Sequence, residues 1–515
     1  MSETGARKWI ITITVILASM LELIDTSIVN VALPQIMGNL GATLDEATWI
    51  ITAYVVANVI VIPMTGWFAS VFGRRNYLAG SVVLFTIASY ACGQATGIWE
   101  LVVFRFIQGA AGAALLSTSQ SVLVETFPPA ELGLANALFG MGVVVGPTIG
   151  PTLGGWITDN YSWRWIFYVN LPIGIVAALL IWAYIRDPEH KRATGSVDWA
   201  GMFLLVLGIG SLQVLLERGE REDWFSSPRI NLLAVLSVVG ILGFIWRELT
   251  AEHPVVDLRV LKDRSLAVGT FFTFILGFGL YSSIFIFPVF AQTLLGFTAM
   301  QTGLILLPGA LTTAFMMPFV GKALQRGARP QLLTAFGFVF FFLFAWKLSH
   351  STLSSGVHDF FWPLVCRGVG MALLFVPLTT LALGSLRGKD IPQGAGLTNM
   401  MRQLGGSFGV AIIATYIQQR VWSHRSALLS HLSVYDPAVR ERLQIITRGL
   451  EASGSAPWTA QQQAYGALEG TLTRQSFLLT YMDAFVVVGA FFLVVIPLLV
   501  LFKRGKKSAA PVPLH

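Results

Sequence analysis

Charge is scarce in this sequence: only 12% of its 515 residues are Asp, Glu, Lys or Arg, about half the share of a soluble domain. Cysteine is scarcer still, with Cys92 and Cys366 the only two, each inside an apolar run. That excludes a disulfide framework and a cysteine-clustered metal site, and argues against redox chemistry. The sequence contains no Gly-x-x-x-x-Gly-Lys-Ser/Thr run, which excludes a phosphate-loop ATPase. Its seven histidines fall in or near loops, so neither a buried nucleophile with its base nor a metal site is expected. Long polar stretches are also missing, apart from one near the C-terminus, which leaves no room for a separate soluble catalytic domain. What remains is hydrophobic: 55% of the chain, enough to place any function inside a bilayer.

A helix needs about 20 mostly apolar residues to cross the hydrocarbon layer. Cutting the chain at its charged and Pro/Gly clusters yields such pieces at residues 9–33, 49–69, 77–96, 99–122, 134–157 and 165–185. A pair follows at 200–217 and 230–249, then six more at 266–291, 302–321, 331–349, 360–384, 396–418 and 477–502. The expectation is an all-α polytopic membrane protein with 14 transmembrane helices. It divides into an N-terminal stretch 1–8, a six-helix bundle 9–185, a linker with an inserted helix pair 186–265, a second bundle 266–502 and a tail 503–515. The first piece is too long for a signal peptide and carries Glu22 and Asp25, so it is expected to stay as helix one. Most of the 34 basic residues fall on one side when the N-terminus is placed inside, which predicts both termini in the cytoplasm. The net charge of +7 then reflects topology and lipid headgroups, with no nucleic-acid partner needed.

The halves echo one another. Pro63-Met-Thr-Gly66 resembles Pro318-Phe-Val-Gly321 at an offset of 318 − 63 = 255, and Arg105-Phe-Ile-Gln-Gly109 resembles Arg367-Gly368-Val-Gly370 at 367 − 105 = 262. Such duplication is a habit of transporters.

Three charged groups stand at membrane depth in the first half: Glu22, Asp25 and Arg105. Each costs several kcal/mol there unless paired, protonated or facing water, so each marks a pathway or a packed polar site. Asp25 and Arg105 lie at similar depth and could pair, either for proton coupling or as a fixed packing contact. Glu22 sits one turn away on the same face. Two carboxylates so close in a poorly hydrated site cannot both ionise cheaply, so one is expected to carry a proton. Farther along, Arg402 could line a central cavity. In helix five, Gly142, Gly146, Gly150 and Gly154 recur every fourth residue, with Pro147, Pro151 and Gly155 among them. This strip permits close helix approach and bending, read either as tight packing or as a pivot.

These residues resemble known signatures. Gly142-Val-Val-Val-Gly146-Pro147-Thr-Ile-Gly150-Pro151-Thr-Leu-Gly154-Gly155 looks like the antiporter motif of major facilitator drug exporters. Leu101-Val-Val-Phe-Arg105-Phe-Ile-Gln108-Gly109 resembles the superfamily's helix-four motif. Asp25-Thr-Ser-Ile-Val-Asn30-Val-Ala-Leu-Pro34 and Trp163-Arg164-Trp165-Ile-Phe-Tyr-Val-Asn170-Leu-Pro172 resemble the fourteen-helix drug:proton antiporter branch of the EmrB/QacA type. The resemblance implies the major facilitator fold, two six-helix bundles plus the inserted pair. It also implies export of small hydrophobic drug-like compounds driven by protons, with Asp25 as coupling carboxylate and Arg105 as its helper; Gln108, Asn30 and Arg402 are the candidates for the substrate cavity. A dedicated metabolite exporter or an uncoupled facilitator of the same fold is the alternative.

One motif departs from the pattern. Where the family has Gly-x-x-x-Asp-x-x-Gly-Arg, this chain reads Gly66-Trp-Phe-Ala-Ser70-Val-Phe-Gly73-Arg74-Arg75. The basic turn is expected to persist without the carboxylate's latch. The long segment 419–476, with a short surface helix expected at 428–443, resembles the outer loop of EmrB-like exporters. It implies an inner-membrane location, a periplasmic adaptor and an outer-membrane channel. No cofactor is expected beyond protons as coupling ion.

Overall fold

The computed structural model describes residues 5–187, 198–388, 390–433 and 435–501. The expected tail 503–515, half of the N-terminal stretch and part of the linker lie outside the described residues.

Apolar runs become helices, and their ends follow local chemistry. The first half holds α1 (Ala6–Leu40), α2 (Leu44–Val61), α3 (Thr65–Phe72), α4 (Arg74–Gln94), α5 (Ile98–Thr126), α6 (Leu132–Asn160), α7 (Trp165–Tyr168) and α8 (Asn170–Tyr184). Gly41, in the left-handed conformation at φ 63°, ends α1, and a Thr43–Glu46 capping box starts α2. Pro63 interrupts the second crossing, which continues through a short 3₁₀ turn into α3. Next comes the inserted pair, α9 (Trp199–Arg218) and α10 (Pro228–Thr250). The second half holds α11 (Arg264–Thr293), α12 (Ala299–Gln325), α13 (Pro330–Leu348), α14 (Val357–Gly384), α15 (Asp390–Leu429), α16 (Pro437–Ala452) and α17 (Pro457–Val495).

Thirteen helical segments among the described residues are long and apolar enough to cross a membrane. The fourteenth expected crossing, 396–418, is α15. It packs within the second bundle against α11 and α17, yet Asn399, Arg402, Gln403 and Ser407 make it too polar for that criterion. A helix can hold such residues at depth only if they face an interior.

The segment 419–476 departs most from expectation. It is largely helical rather than a loop: α15 runs on to Leu429, α17 begins at Pro457, and the surface helix is α16, later in the sequence than 428–443. Ion pairs between the two helices, Arg425 with Glu469 at 2.8 Å and Arg420 with Asp483 at 2.9 Å, tie the projecting end of α15 to α17.

In the first bundle α1 packs on α6, α5 and α8; in the second α11 packs on α15 and α14, and α12 on α14. The bundles meet along α6 and α12. They are also closed together at the end where α1 begins. There an added Cβ at Gly133 would stand 2.9 Å from the Gly321 carbonyl, and one at Gly66 would stand 3.0 Å from Gln393. Asn136 donates to Thr380 at 3.2 Å at the same seam. The pair α9–α10 lies against α2 and α15, thus against both bundles, with Gln213 donating to Ser407 at 2.8 Å.

Candidate functional site

Close helix approach builds the site. Cβ atoms at Gly109 and Gly112 would fall 2.2 Å from the Tyr54 carbonyl and 2.9 Å from its hydroxyl, so only glycine lets α5 come this near α2. The gap admits two acids of α1, Glu22 and Asp25, one turn apart, fully buried at 1% and 0% exposure.

The two acids have opposite surroundings. Asp25 is held on both oxygens: Arg105 Nη1 lies 2.5 Å from Oδ2, while Gln108 Nε2 and Asn170 Nδ2 donate to Oδ1 at 2.9 and 2.8 Å. Arg105 also donates to Gln108 Oε1 at 2.7 Å and lies over the Tyr54 ring at 4.0 Å. This network joins α1, α5 and α8 and extends through Arg105 to the Ile50 carbonyl of α2 and through Asn170 to Ser89 of α4, all within one bundle. Gln108 therefore belongs to the lock around Asp25 rather than to an open cavity. Asn170, which sequence reasoning did not single out, completes the lock; its signal was the Val-Asn-Leu-Pro run at the start of α8.

Glu22 is held on one oxygen only. Asn58 Nδ2 donates to Oε1 at 3.0 Å, and Oε2 has no partner. The Asn58 oxygen in turn accepts from Gln403 Nε2 at 3.3 Å, so Glu22 is tied through one side chain to the opposite bundle. Beside Gln403, Arg402 is 1% exposed, and none of its Nε, Nη1 and Nη2 is in full hydrogen-bond geometry with a partner. The Tyr281 hydroxyl of α11 stands beside the guanidinium, and the Phe375 ring centroid is 5.7 Å away. Arg402 is the opposite charge acting on Glu22, although no ion pair joins them among the described residues. Glu22 thus has a cation partner that one-dimensional reading missed, because it lies 380 positions away (402 − 22) on another helix.

A polar floor continues toward the closed end. Ser117, Thr118, Ser119 and Ser121 of α5 are buried with unpartnered hydroxyls, and Gln120 accepts from Asn399 of α15 at 2.8 Å across the seam. The other cavity candidate, Asn30, is exposed on α1 away from this floor.

The glycine strip of α6 faces α1 rather than the seam. Cβ atoms at Gly146, Gly150 and Gly154 would meet Leu23 at 2.9 Å, Ser27 at 1.8 Å and Ile28 at 2.8 Å. Gly142 approaches Ile16 and Met20, while Gly155 alone turns to Met300 of α12 at 3.8 Å. Pro147 and Pro151 sit inside the helix without ending it. The seam itself uses other small contacts, such as Gly303 against Thr152.

At the basic turn Gly73 adopts φ 85°, and its Cβ would lie 2.7 Å from a carboxylate oxygen of Asp187. Asp187 also accepts from the Arg75 backbone N–H at 2.8 Å, while Arg74 pairs with Glu125 and donates to the Arg186 carbonyl at 3.1 Å. Carboxylates are thus present at this turn, supplied from α5 and from beyond α8 rather than from position 70. The duplicated half keeps the arginine but not the acid: Arg367 Nε donates at 3.0 Å to Ser283 of α11, which stands where Asp25 stands, at 283 − 25 = 258.

The family model "Major Facilitator Superfamily" matches residues 15–410. The fatty acid resistance protein FarB of Neisseria gonorrhoeae is 36% identical over 97% of this chain and 96% of its own length. The multidrug export protein EmrB of Escherichia coli K12 is 36% identical over 96% and 95%. Among solved structures, the human organic anion transporter MFSD10 aligns with a TM-score of 0.61 at 12% identity, covering 96% of this chain and all of that one. The proton:xylose symporter XylE aligns at 0.57 and 13%, covering 96% of each. Two helical bundles with an inserted helix pair around a buried acid–base centre, with such relatives along nearly the whole length, place this multi-pass membrane chain in the Major Facilitator Superfamily, among its EmrB-like transporters.

Proposed function

We propose that this protein is a proton-coupled exporter of hydrophobic drug-like molecules, with Glu22 as the carboxylate that takes up and releases the coupling proton. The observation that carries the reading is the free Oε2 of a buried acid that is bonded, through Asn58, to the opposing bundle. A proton arriving there changes both the charge at the seam and the contacts across it. Coupling requires that proton and substrate bind differently to the two arrangements of the bundles. Asp25 and Arg105, satisfied by one another and their neighbours, hold α1, α5 and α8 in place and set the field around Glu22. The closed seam at Gln120–Asn399 and Asn136–Thr380 is the barrier on the side of the termini, which we assign to the cytoplasm from the distribution of basic residues.

The relatives' names, multidrug export and fatty acid resistance, support efflux of amphiphilic compounds. The same reading gives the projecting ends of α15 and α17, with α16, the role of docking a periplasmic adaptor that leads to an outer-membrane channel, the transporter itself lying in the inner membrane. Trp422, Tyr435 and Trp458 are 65, 84 and 72% exposed on this projection, aromatic anchors of the kind protein interfaces use.

The test is reconstitution in liposomes with an imposed pH gradient and a fluorescent lipophilic dye, comparing wild type, Glu22→Gln and Asp25→Asn. Dye movement that follows the gradient in wild type and becomes independent of it in Glu22→Gln establishes the coupling. Movement unaffected by the gradient in wild type overturns it.

A further inference from the structure

Two buried groups of opposite charge face the seam with hydrogen-bonding capacity left over. The Arg402 guanidinium has only a loose contact with the Tyr281 hydroxyl, none of its nitrogens being in full hydrogen-bond geometry, and Glu22 has one oxygen without a partner. They belong to different bundles and are bridged only indirectly, through Asn58 and Gln403. At such depth an unpaired charge is costly, and its cost falls when a group of opposite charge satisfies it. Neither acid nor base can be satisfied by a simple ion without penalty. A lone cation at Glu22 meets repulsion from Arg402, and a lone anion at Arg402 meets it from Glu22.

We propose that Glu22 and Arg402 together form a bipartite subsite for dipolar amphiphiles, in which a substrate ammonium or N–H donor binds Glu22 and a carboxylate or carbonyl binds Arg402. The reading rests on the exporter function above and names its preferred substrate class. The guanidinium offers a planar fork suited to a carboxylate, and the Phe375 ring and Tyr281 provide an aromatic wall for the body of the molecule. Arg402 is also firmly placed. Cβ atoms at Gly277 and Gly405 would lie 2.0 Å from the Arg402 and Phe274 carbonyls, so α15 rests against α11 at closest approach on both sides of it. Protonation of Glu22 removes one of the two attachments and leaves the site positive. A dipolar substrate then loses its grip on one end, which is the mutual exclusion an antiporter requires.

The experiment measures binding of rhodamine 110, a zwitterion with N–H donors at neutral pH, and of its methyl ester rhodamine 123, a cation, to the purified full-length protein by fluorescence polarisation. The two dyes share one aromatic body and differ at the carboxylate. Wild type is expected to bind the zwitterion about tenfold or more tightly than the ester, the size of a charged hydrogen-bonded contact. Arg402→Gln should collapse that preference to near unity, Arg402→Lys should retain part of it, and thermal unfolding of each variant shows whether it is folded. Equal binding of the two dyes by wild type, or a preference that survives in folded Arg402→Gln, overturns the subsite. Gradient-driven movement of the ester in wild-type liposomes tests the exporter reading separately, so a transporter without the subsite is distinguishable from a binding site without transport.

Discussion

Asp25→Asn and Glu22→Gln are near-isosteric changes one helical turn apart, and the structure assigns them opposite consequences. In Asp25→Asn the buried Arg105 loses the only acid paired with it among the described residues, at 1% exposure and in a layer where water cannot replace the partner. Breaking a buried pair by removing one member costs about 3–5 kcal/mol, because the remaining charge is left uncompensated. The three donors aimed at Asp25 also lose strength when the acceptor becomes neutral. In Glu22→Gln, Asn58 still finds a carbonyl oxygen at the same place, and the changed atom had no partner to lose. Its stability should shift by about 1 kcal/mol or less. Thermal unfolding followed by size-exclusion chromatography should therefore rank wild type and Glu22→Gln together, with Asp25→Asn clearly below. Proton-driven dye transport should fail in Glu22→Gln despite its intact fold. The double variant Asp25→Asn with Arg105→Gln should lose less than the sum of its single changes, since both act on one contact. If Glu22→Gln melts as low as Asp25→Asn, or if Asp25→Asn melts like wild type, the division into a fixed lock and a free carboxylate is refuted.

Gly150→Ala would drive a methyl into Ser27 Oγ, 1.8 Å from the added carbon, and should cost roughly 1–3 kcal/mol as overpacking between α6 and α1; a melting series with Gly155→Ala, which meets nothing closer than 3.8 Å, checks the ranking. Gln120→Leu removes the 2.8 Å bond to Asn399 and should favour opening at the terminal end, read as faster labelling of a cysteine placed at Ser119 from that side. Burial works against the charge of Asp198 at the start of α9, but Arg247 and the N–H groups of Gly201 and Ala200 outweigh it and hold the carboxyl below its ordinary value. Its contribution is thus present above the ordinary Asp range and lost only as pH falls through the lowered value. Unfolding between pH 5 and 8 should show no trace of it, while Asp198→Ala should cost about 1 kcal/mol throughout that window.

The crossings were legible because bilayer thickness imposes its length on every apolar run, and the exceptions have physical causes. α15 hides its crossing behind Asn399, Arg402, Gln403 and Ser407, residues placed for the interior rather than for lipid. The continuation of α15 and α17 beyond the membrane carries no apolar run, so hydropathy gives no sign that it is helical. Within the site, the pairing of Asp25 with Arg105 could be anticipated from depth alone, since both helices belong to one bundle. The contacts of Glu22 could not: they depend on how two bundles dock, and nothing in the spacing of α1 announces Asn58 or Gln403 as neighbours. The missing acid at Ser70 misled for a similar reason, because Glu125 and Asp187 reach Arg74 and Arg75 from remote segments.

That difference between the two acids follows from the architecture. A polar group whose partners all lie in one bundle keeps them as the bundles move, so Asp25 can be fully satisfied and still permit transport. A group at the seam must exchange partners whenever the seam opens, and a fixed ion pair there would oppose every cycle. Glu22 and Arg402 meet this requirement by facing one another without closing into a pair, with the neutral Asn58–Gln403 contact as the bond that breaks. Of the two acids of α1, the one with an unsatisfied oxygen therefore lies where motion demands it, and the one held on both oxygens where rigidity does.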